Sequence, residues 1–154
     1  MGKSLLKSYI ELTKPGIVRL VLVTTVIGFA LGGEGVTRWV LLLMTLIGTA
    51  LGSGGAFVLN HYVEREVDAL MHRTRNRPLP LGTIAPGAAL IFGVVLIAAG
   101  TAVLAFCVNG LTATLVFLTA IMYVVIYTPL KKYSWWNTPI GAIQLDLARQ
   151  IGVD

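Results

Sequence analysis

The sequence predicts an all-α integral membrane protein with four transmembrane helices. Three observations carry that prediction. The 154 residues are 56% hydrophobic and 12% charged, with a mean hydropathy of +0.82, whereas a soluble domain carries about 25% charged residues. Several apolar runs reach the roughly 20 residues that cross a bilayer as a helix. The alternating segments of about 10 residues that mark a transmembrane β-barrel are absent. In such a chain the net charge of +5 reports which loops stay in the cytoplasm, and it is no argument for binding nucleic acid.

The elements follow in order. Residues 1–15 form a basic lead whose apolar members, Leu5, Leu6, Tyr9, Ile10 and Leu12, recur at roughly helical spacing. That pattern suits a helix lying along the membrane surface. The run behind it is too long for a signal peptide and shows no small-residue cleavage site, so it reads as the first transmembrane helix. Pro15 and Gly16 open that helix, at about 17–32, with Arg19 placed to snorkel to the cytoplasmic surface. A turn at 33–37 leads to a second helix at about 38–62 and, after a polar stretch, a third at about 86–108. Asn109 and Gly110 make a minimal turn before a fourth helix at about 111–128, which Pro129 stops or kinks. Residues 144–154 form an atypical tail, too polar and short to span, behind a main unit of 1–143.

Small residues add packing expectations. Gly28 with Gly32, and Gly48 with Gly52, form two GxxxG pairs, which let helix backbones approach where lipid gives no hydrophobic drive for association. An alternative for 52–55 is that these small residues thin the second helix to leave room for a bulky substrate. Cys107, the single cysteine, lies in an apolar run and reads as packing. Trp135 and Trp136 read as an interfacial belt.

The basic residues set the orientation. Lys3, Lys7, Lys14, Arg19, Arg65, Arg73, Arg75, Arg77, Lys131 and Lys132 fall on one side of the four crossings, with Arg38 alone in the loops opposite. Both termini and the 60–85 segment are therefore expected in the cytoplasm, in a multi-pass membrane protein.

One stretch concentrates the polar chemistry: NHYVEREVDALMHRTRNRPLP, residues 60–80. Asn60, Glu64 and Asp68 are spaced by four. Each such step on a helix turns about 40° and rises about 6 Å, so a helix continuing through the segment lines the three up on one stripe, with Glu66 and His61 off it. Two carboxylates and an amide oxygen suit Mg²⁺, which keeps waters or substrate phosphates beside a few protein oxygens. His72, Arg73, Arg75 and Arg77 follow at the same membrane face, and Arg offers fork geometry to a phosphate. Read alone, the cluster is also compatible with an ordinary solvated loop. His61 and His72 read as solvated loop side chains.

The stretch 60–80 resembles the first acidic motif, N-x-x-x-[DE]-x-x-x-D, of the intramembrane aromatic (UbiA-type) prenyltransferase superfamily. Its continuation from Met71 to Pro80, M-x-R-T-x-x-R-P-L-P, is similar to the protohaem IX farnesyltransferase (haem O synthase) branch. LTKPGI at 12–17 and YTPLKKYSWWNTPIG at 127–141 resemble further landmarks of that branch. The resemblance implies a helical bundle that moves a farnesyl group from farnesyl diphosphate to a vinyl group of haem b, giving haem O, with haem b as substrate. By matching positions, Asn60, Glu64 and Asp68 would hold Mg²⁺. Arg73 and Arg77 would contact the diphosphate, with Lys131 and Lys14 completing the charge around it. Haem A synthase or terminal-oxidase assembly proteins are the implied protein partners.

Family members are about twice as long, with roughly nine transmembrane helices and a second aspartate-rich loop. This chain has four, resembling the first half of that bundle, and its Asp146 and Asp154 lack partner carboxylates. The expectation is a truncated, inactive form of the enzyme. Two competing readings are a 4-hydroxybenzoate-type quinone-precursor prenyltransferase, against which Glu64 and Met71 argue, and a non-catalytic membrane fragment that binds a lipid or a partner subunit.

Overall fold

A computed structural model of the chain describes residues 4–34 and 38–128. All regular structure among the described residues is helical. Pro129, Lys131, Trp135, Trp136 and the 144–154 tail lie outside them.

The basic lead forms α1, Leu5–Leu12. Leu5, Leu6 and Ile10 are exposed while Leu12 is buried, the arrangement of a short helix pressed on the bundle and open to the headgroup region. Helix α2, Pro15–Phe29, follows at once, with Pro15 at its first position, where a missing N–H costs nothing. Its cap, Lys14, has φ 50 and ψ 63, the one left-handed non-glycine residue described. No residue of α2 is buried; Leu20, Val23 and Ile27 face outward. A π-helical turn, Ala30–Glu34, ends it.

Helix α3, Trp39–Leu70, is the axis of the bundle and packs on every other helix. Its 32 residues extend about 48 Å at 1.5 Å each, against a hydrocarbon core of about 30 Å. Roughly a third of it therefore stands beyond the apolar layer. The expected end near residue 62 is corrected to Leu70: no Gly or Pro interrupts 56–70, and Glu64, Arg65 and Glu66 there are good helix formers. The segment 71–85 is a packed loop, with Leu79 and Ile84 buried beside Leu12, Val58 and Ala89.

Helix α4, Pro86–Cys107, returns across the membrane. Asn109 then caps α5, Gly110–Ile121, its side chain accepting from the Thr112 N–H at 2.7 Å. A second π-helical stretch, Met122–Tyr127, prolongs α5 towards the polar end. Four helical stretches are long and apolar enough to span: Pro15–Gly32, Trp39–Leu70, Pro86–Cys107 and Gly110–Tyr127. The chain is a multi-pass membrane protein.

The glycine expectations divide. A Cβ on Gly100 would lie 2.6 Å from the Gly48 carbonyl oxygen and the Gly52 nitrogen, and one on Gly55 would lie 2.7 Å from the Gly93 carbonyl. Helices α3 and α4 thus meet backbone to backbone. Gly28 and Gly32 are corrected: a Cβ on either meets nothing within 4 Å, because α2 turns that face away from the described helices. Cys107 is exposed at the end of α4 and is no packing residue.

Candidate active site at the polar end of helix α3

Because α3 stays helical to Leu70, the four-residue spacing acts as expected. Asn60, Glu64 and Asp68 are 2%, 8% and 4% exposed. Buried ionisable groups at the mouth of a membrane helix are costly without partners, and partners are present. Arg77 Nη1 donates to Asp68 Oδ2 at 2.6 Å. The Thr74 hydroxyl donates to the Asp68 carbonyl at 2.9 Å, pinning the loop to the last turn of α3. Lys14 Nζ reaches across from the start of α2 and donates to Asn60 Oδ1 at 3.3 Å. Asn60 Nδ2 in turn donates to the hydroxyl of Thr128, a fully buried residue, at 3.0 Å.

These groups surround a cavity of about 350 Å³ lined by Lys14, Glu64, Asp68, Arg73 and Arg77, together with Val67, Met71 and Thr74. Five of the seven side chains marked in the sequence therefore converge on one space. Asn60 sits behind it on Lys14, and Lys131 lies outside the described residues. His72 and Arg75 do not line the cavity; they contact one another at 3.2 Å on the exposed side of the loop.

A second cavity, of about 280 Å³, opens deeper in the bundle between α2, α3 and α5. Its lining is apolar apart from threonine, serine and tyrosine hydroxyls and includes Gly52, Ala56, Phe57, Leu115, Val116 and Tyr123. Gly52 lines this cavity; its backbone nitrogen lies against Gly100 of α4, and a Cβ on it would meet Val116 of α5 at 2.7 Å. The Lys14 ammonium, on the rim of the polar cavity, sits 5.5 Å from the centre of the Phe57 ring. That ring lines the apolar cavity, so a charged space and an apolar one share a wall. Lys14 keeps this place in a left-handed conformation that costs about 1–2 kcal/mol.

His61 is a correction. It is buried, and its Nδ1 lies 3.8 Å from Asp68 Oδ2, so it is neither solvated nor off the stripe. Seven residues on a helix amount to two turns less about 20°, which brings 61 over 68; the four-residue count alone overlooked this. Thr128 and Thr74 were also missed. Thr128 lies within the YTPLK stretch itself, but nothing local points to its partner Asn60, 68 residues away.

The residues present suit a magnesium ion only as Mg²⁺ commonly binds, through one or two carboxylates with substrate phosphates and water completing the shell. Among the described residues no three His, Cys, Asp or Glu side chains gather as a complete protein cage. The two buried carboxylates on the cavity wall, with the Asn60 amide oxygen behind Lys14, are the protein donors on offer.

Fold and cavities define a multi-pass helical membrane protein with a charged mouth above an apolar chamber. The chain belongs to the UbiA prenyltransferase family, whose profile matches residues 21–152. Among curated proteins it is similar to the protoheme IX farnesyltransferase of Solibacter usitatus, 44% identical over 147 residues, covering 90% of this chain and 50% of the relative. That of Aquifex aeolicus is 43% identical over 152 residues, 98% and 52% respectively, and that of Marinobacter nauticus 44% over 138 residues, 89% and 46%. The chain spans about half the length of the curated relatives it matches. No solved structure matches it.

Proposed function

We propose that the chain forms the diphosphate-binding part of a protohaem IX farnesyltransferase, which joins the farnesyl group of farnesyl diphosphate to a vinyl group of haem b and gives haem O. The observation that carries the reading is the cavity where Glu64 and Asp68 face Lys14, Arg73 and Arg77, adjoining an apolar chamber at Phe57. Such a pair of spaces suits an amphiphile with a polyanionic head and an isoprenoid tail. Asn60, Glu64 and Asp68 would hold Mg²⁺, which when bound supplies positive charge to the diphosphate. Arg73 and Arg77, with Lys14 and Lys131, would neutralise the charge that grows on the leaving group. The allylic carbon–oxygen bond breaks with its electron pair leaving on diphosphate, and the vinyl π electrons form the new carbon–carbon bond. Water then forms a carbon–oxygen bond to the cation left on the haem substituent and gives up a proton to solvent, leaving a hydroxyl. Haem A synthase and terminal-oxidase assembly proteins are the proposed receivers of the product.

The test is calorimetric titration of farnesyl diphosphate into the purified chain in nanodiscs, with and without Mn²⁺. Saturable binding that falls at least about tenfold on chelation is expected, as is no comparable binding of 4-hydroxybenzoate. Metal-independent binding, or none, would overturn the reading, and a response to 4-hydroxybenzoate would favour a quinone-precursor enzyme.

We also propose that both termini and the 60–85 loop face the cytoplasm of a bacterial inner membrane, from the side on which the basic residues fall. The single, exposed cysteine supplies the check. Cys107 ends α4 opposite the loop, so an impermeant maleimide is expected to label it in intact spheroplasts. Labelling that requires membrane lysis would reverse the orientation.

A further inference from the structure

The hydrogen bonds behind the cavity have a direction. The Thr128 hydroxyl donates its one proton to the Tyr123 carbonyl at 2.8 Å, so towards Asn60 it can only accept. Asn60 must therefore present its Nδ2 to Thr128, at 3.0 Å, and its Oδ1 to the opposite side. There it meets Lys14 Nζ at 3.3 Å, a group that can only donate. Two independent neighbours thus demand the same orientation of one amide.

The position of Thr128 depends on the π-helical stretch Met122–Tyr127. A π turn closes i→i−5 bonds and sets back the residues that follow, relative to an α-helix. The Thr128 N–H bonds to Tyr123 in that register, and its hydroxyl shares the same carbonyl. The Tyr123 ring packs edge-on to Phe57, centroids 5.7 Å apart, and stacks on Tyr127 at 5.2 Å. This clamps the π segment to α3 less than one turn from Asn60. Thr128 has no exposed surface, so water does not compete for its hydroxyl.

We propose that Thr128 is a positioning residue: it locks the Asn60 amide with its oxygen turned towards Lys14 and the charged cavity. A flipped amide would aim its NH₂ at an ammonium and leave Thr128 facing a second acceptor, so loss of the hydroxyl releases the Nδ2 end of the amide and leaves Lys14 alone to orient it. The consequence for a bound cation, that Asn60 offers an oxygen and not a nitrogen, rests on the function proposed above; the orientation itself does not.

The experiment uses the whole chain, labelled with ¹⁵N-asparagine, in nanodiscs. The Asn60 side-chain signal is identified by its loss in Asn60→Ala, and hydrogen exchange of its NH₂ is followed by NMR. Thr128→Val is expected to speed that exchange at least about tenfold, and Thr128→Ser, which keeps the hydroxyl, to hold the native rate. Thr128→Ala carries the same expectation in less volume should valine not fold. Equal exchange in native and hydroxyl-free proteins, or a serine variant as fast as valine, would overturn the proposal. Mn²⁺ titration by electron paramagnetic resonance separates the two readings. A roughly tenfold weaker affinity in Thr128→Val, rescued by serine, supports the consequence for the cation. Accelerated exchange with unchanged or absent Mn²⁺ binding refutes Asn60 as a ligand and leaves the positioning role standing.

Discussion

Asp68→Asn is expected to weaken Mn²⁺ binding about 100-fold or more, because even groups that merely support metal ligands are worth roughly 10–100-fold in affinity. The substitution keeps the size of the side chain and removes its charge, so packing around α3 is preserved. Its carboxylate also accepts from Arg77 Nη1 at 2.6 Å, and the loss of that charged hydrogen bond should cost about 1.5–3 kcal/mol of stability. Two controls separate the effects. Arg77→Lys retains a positive charge but loses the fork, so farnesyl diphosphate should bind more weakly while Mn²⁺ affinity changes little. Glu66→Gln alters a carboxylate two residues away whose side chain is 79% exposed and paired with its neighbour Arg65 at 3.2 Å; an exposed pair of this kind is worth about 0–1 kcal/mol. Isothermal titration and thermal unfolding of the four proteins decide the matter. Asp68→Asn with Mn²⁺ affinity within twofold of native would remove Asp68 from the metal site, leaving it a structural partner of Arg77.

The sequence made the stripe legible because it is a local pattern: a four-residue step on a continuous helix needs only helical geometry. The spans were legible for the same reason, since composition and length decide them in lipid. What escaped notice depends on partners far along the chain. Lys14 and Asn60 are 46 residues apart, and Asn60 and Thr128 are 68 apart, so no window that reveals one reveals the other. The end of α3 is illegible locally because charge in a sequence reads as a loop, whereas Glu64, Asp68 and His61 are buried there beside basic partners. The two GxxxG pairs show the limit of a motif. Gly48 and Gly52 lie against other helices, while Gly28 and Gly32 face nothing within 4 Å; the pattern permits close approach, and the neighbouring helix decides whether it happens.

That difference yields a second large effect, in stability and not in chemistry. Gly100→Ala is expected to destabilise the bundle by about 2–3 kcal/mol, at the upper end of the cost of overpacking. Its Cβ would sit 2.6 Å from the Gly48 oxygen and the Gly52 nitrogen. Both are backbone atoms of α3, so no rotamer change can relieve the clash, and the helices must separate. At Gly48 the nearest obstacle is the Leu104 side chain, 2.5 Å from Cγ, which has rotamers to use, and Gly48→Ala should cost less. Gly28→Ala has no obstacle within 4 Å and replaces a poor helix former, so it should be neutral or stabilise by up to about 1 kcal/mol. Thermal or detergent unfolding of the three variants gives the ranking. Because α4 sets the position of α3, and α3 carries the acidic stripe to Lys14, Gly100→Ala should also weaken Mn²⁺ binding although it lies some three turns of α4 beyond Ala89, the α4 residue packed beside Val58. If Gly100→Ala and Gly28→Ala unfold together, the backbone contact between α3 and α4 is not what holds the bundle in register.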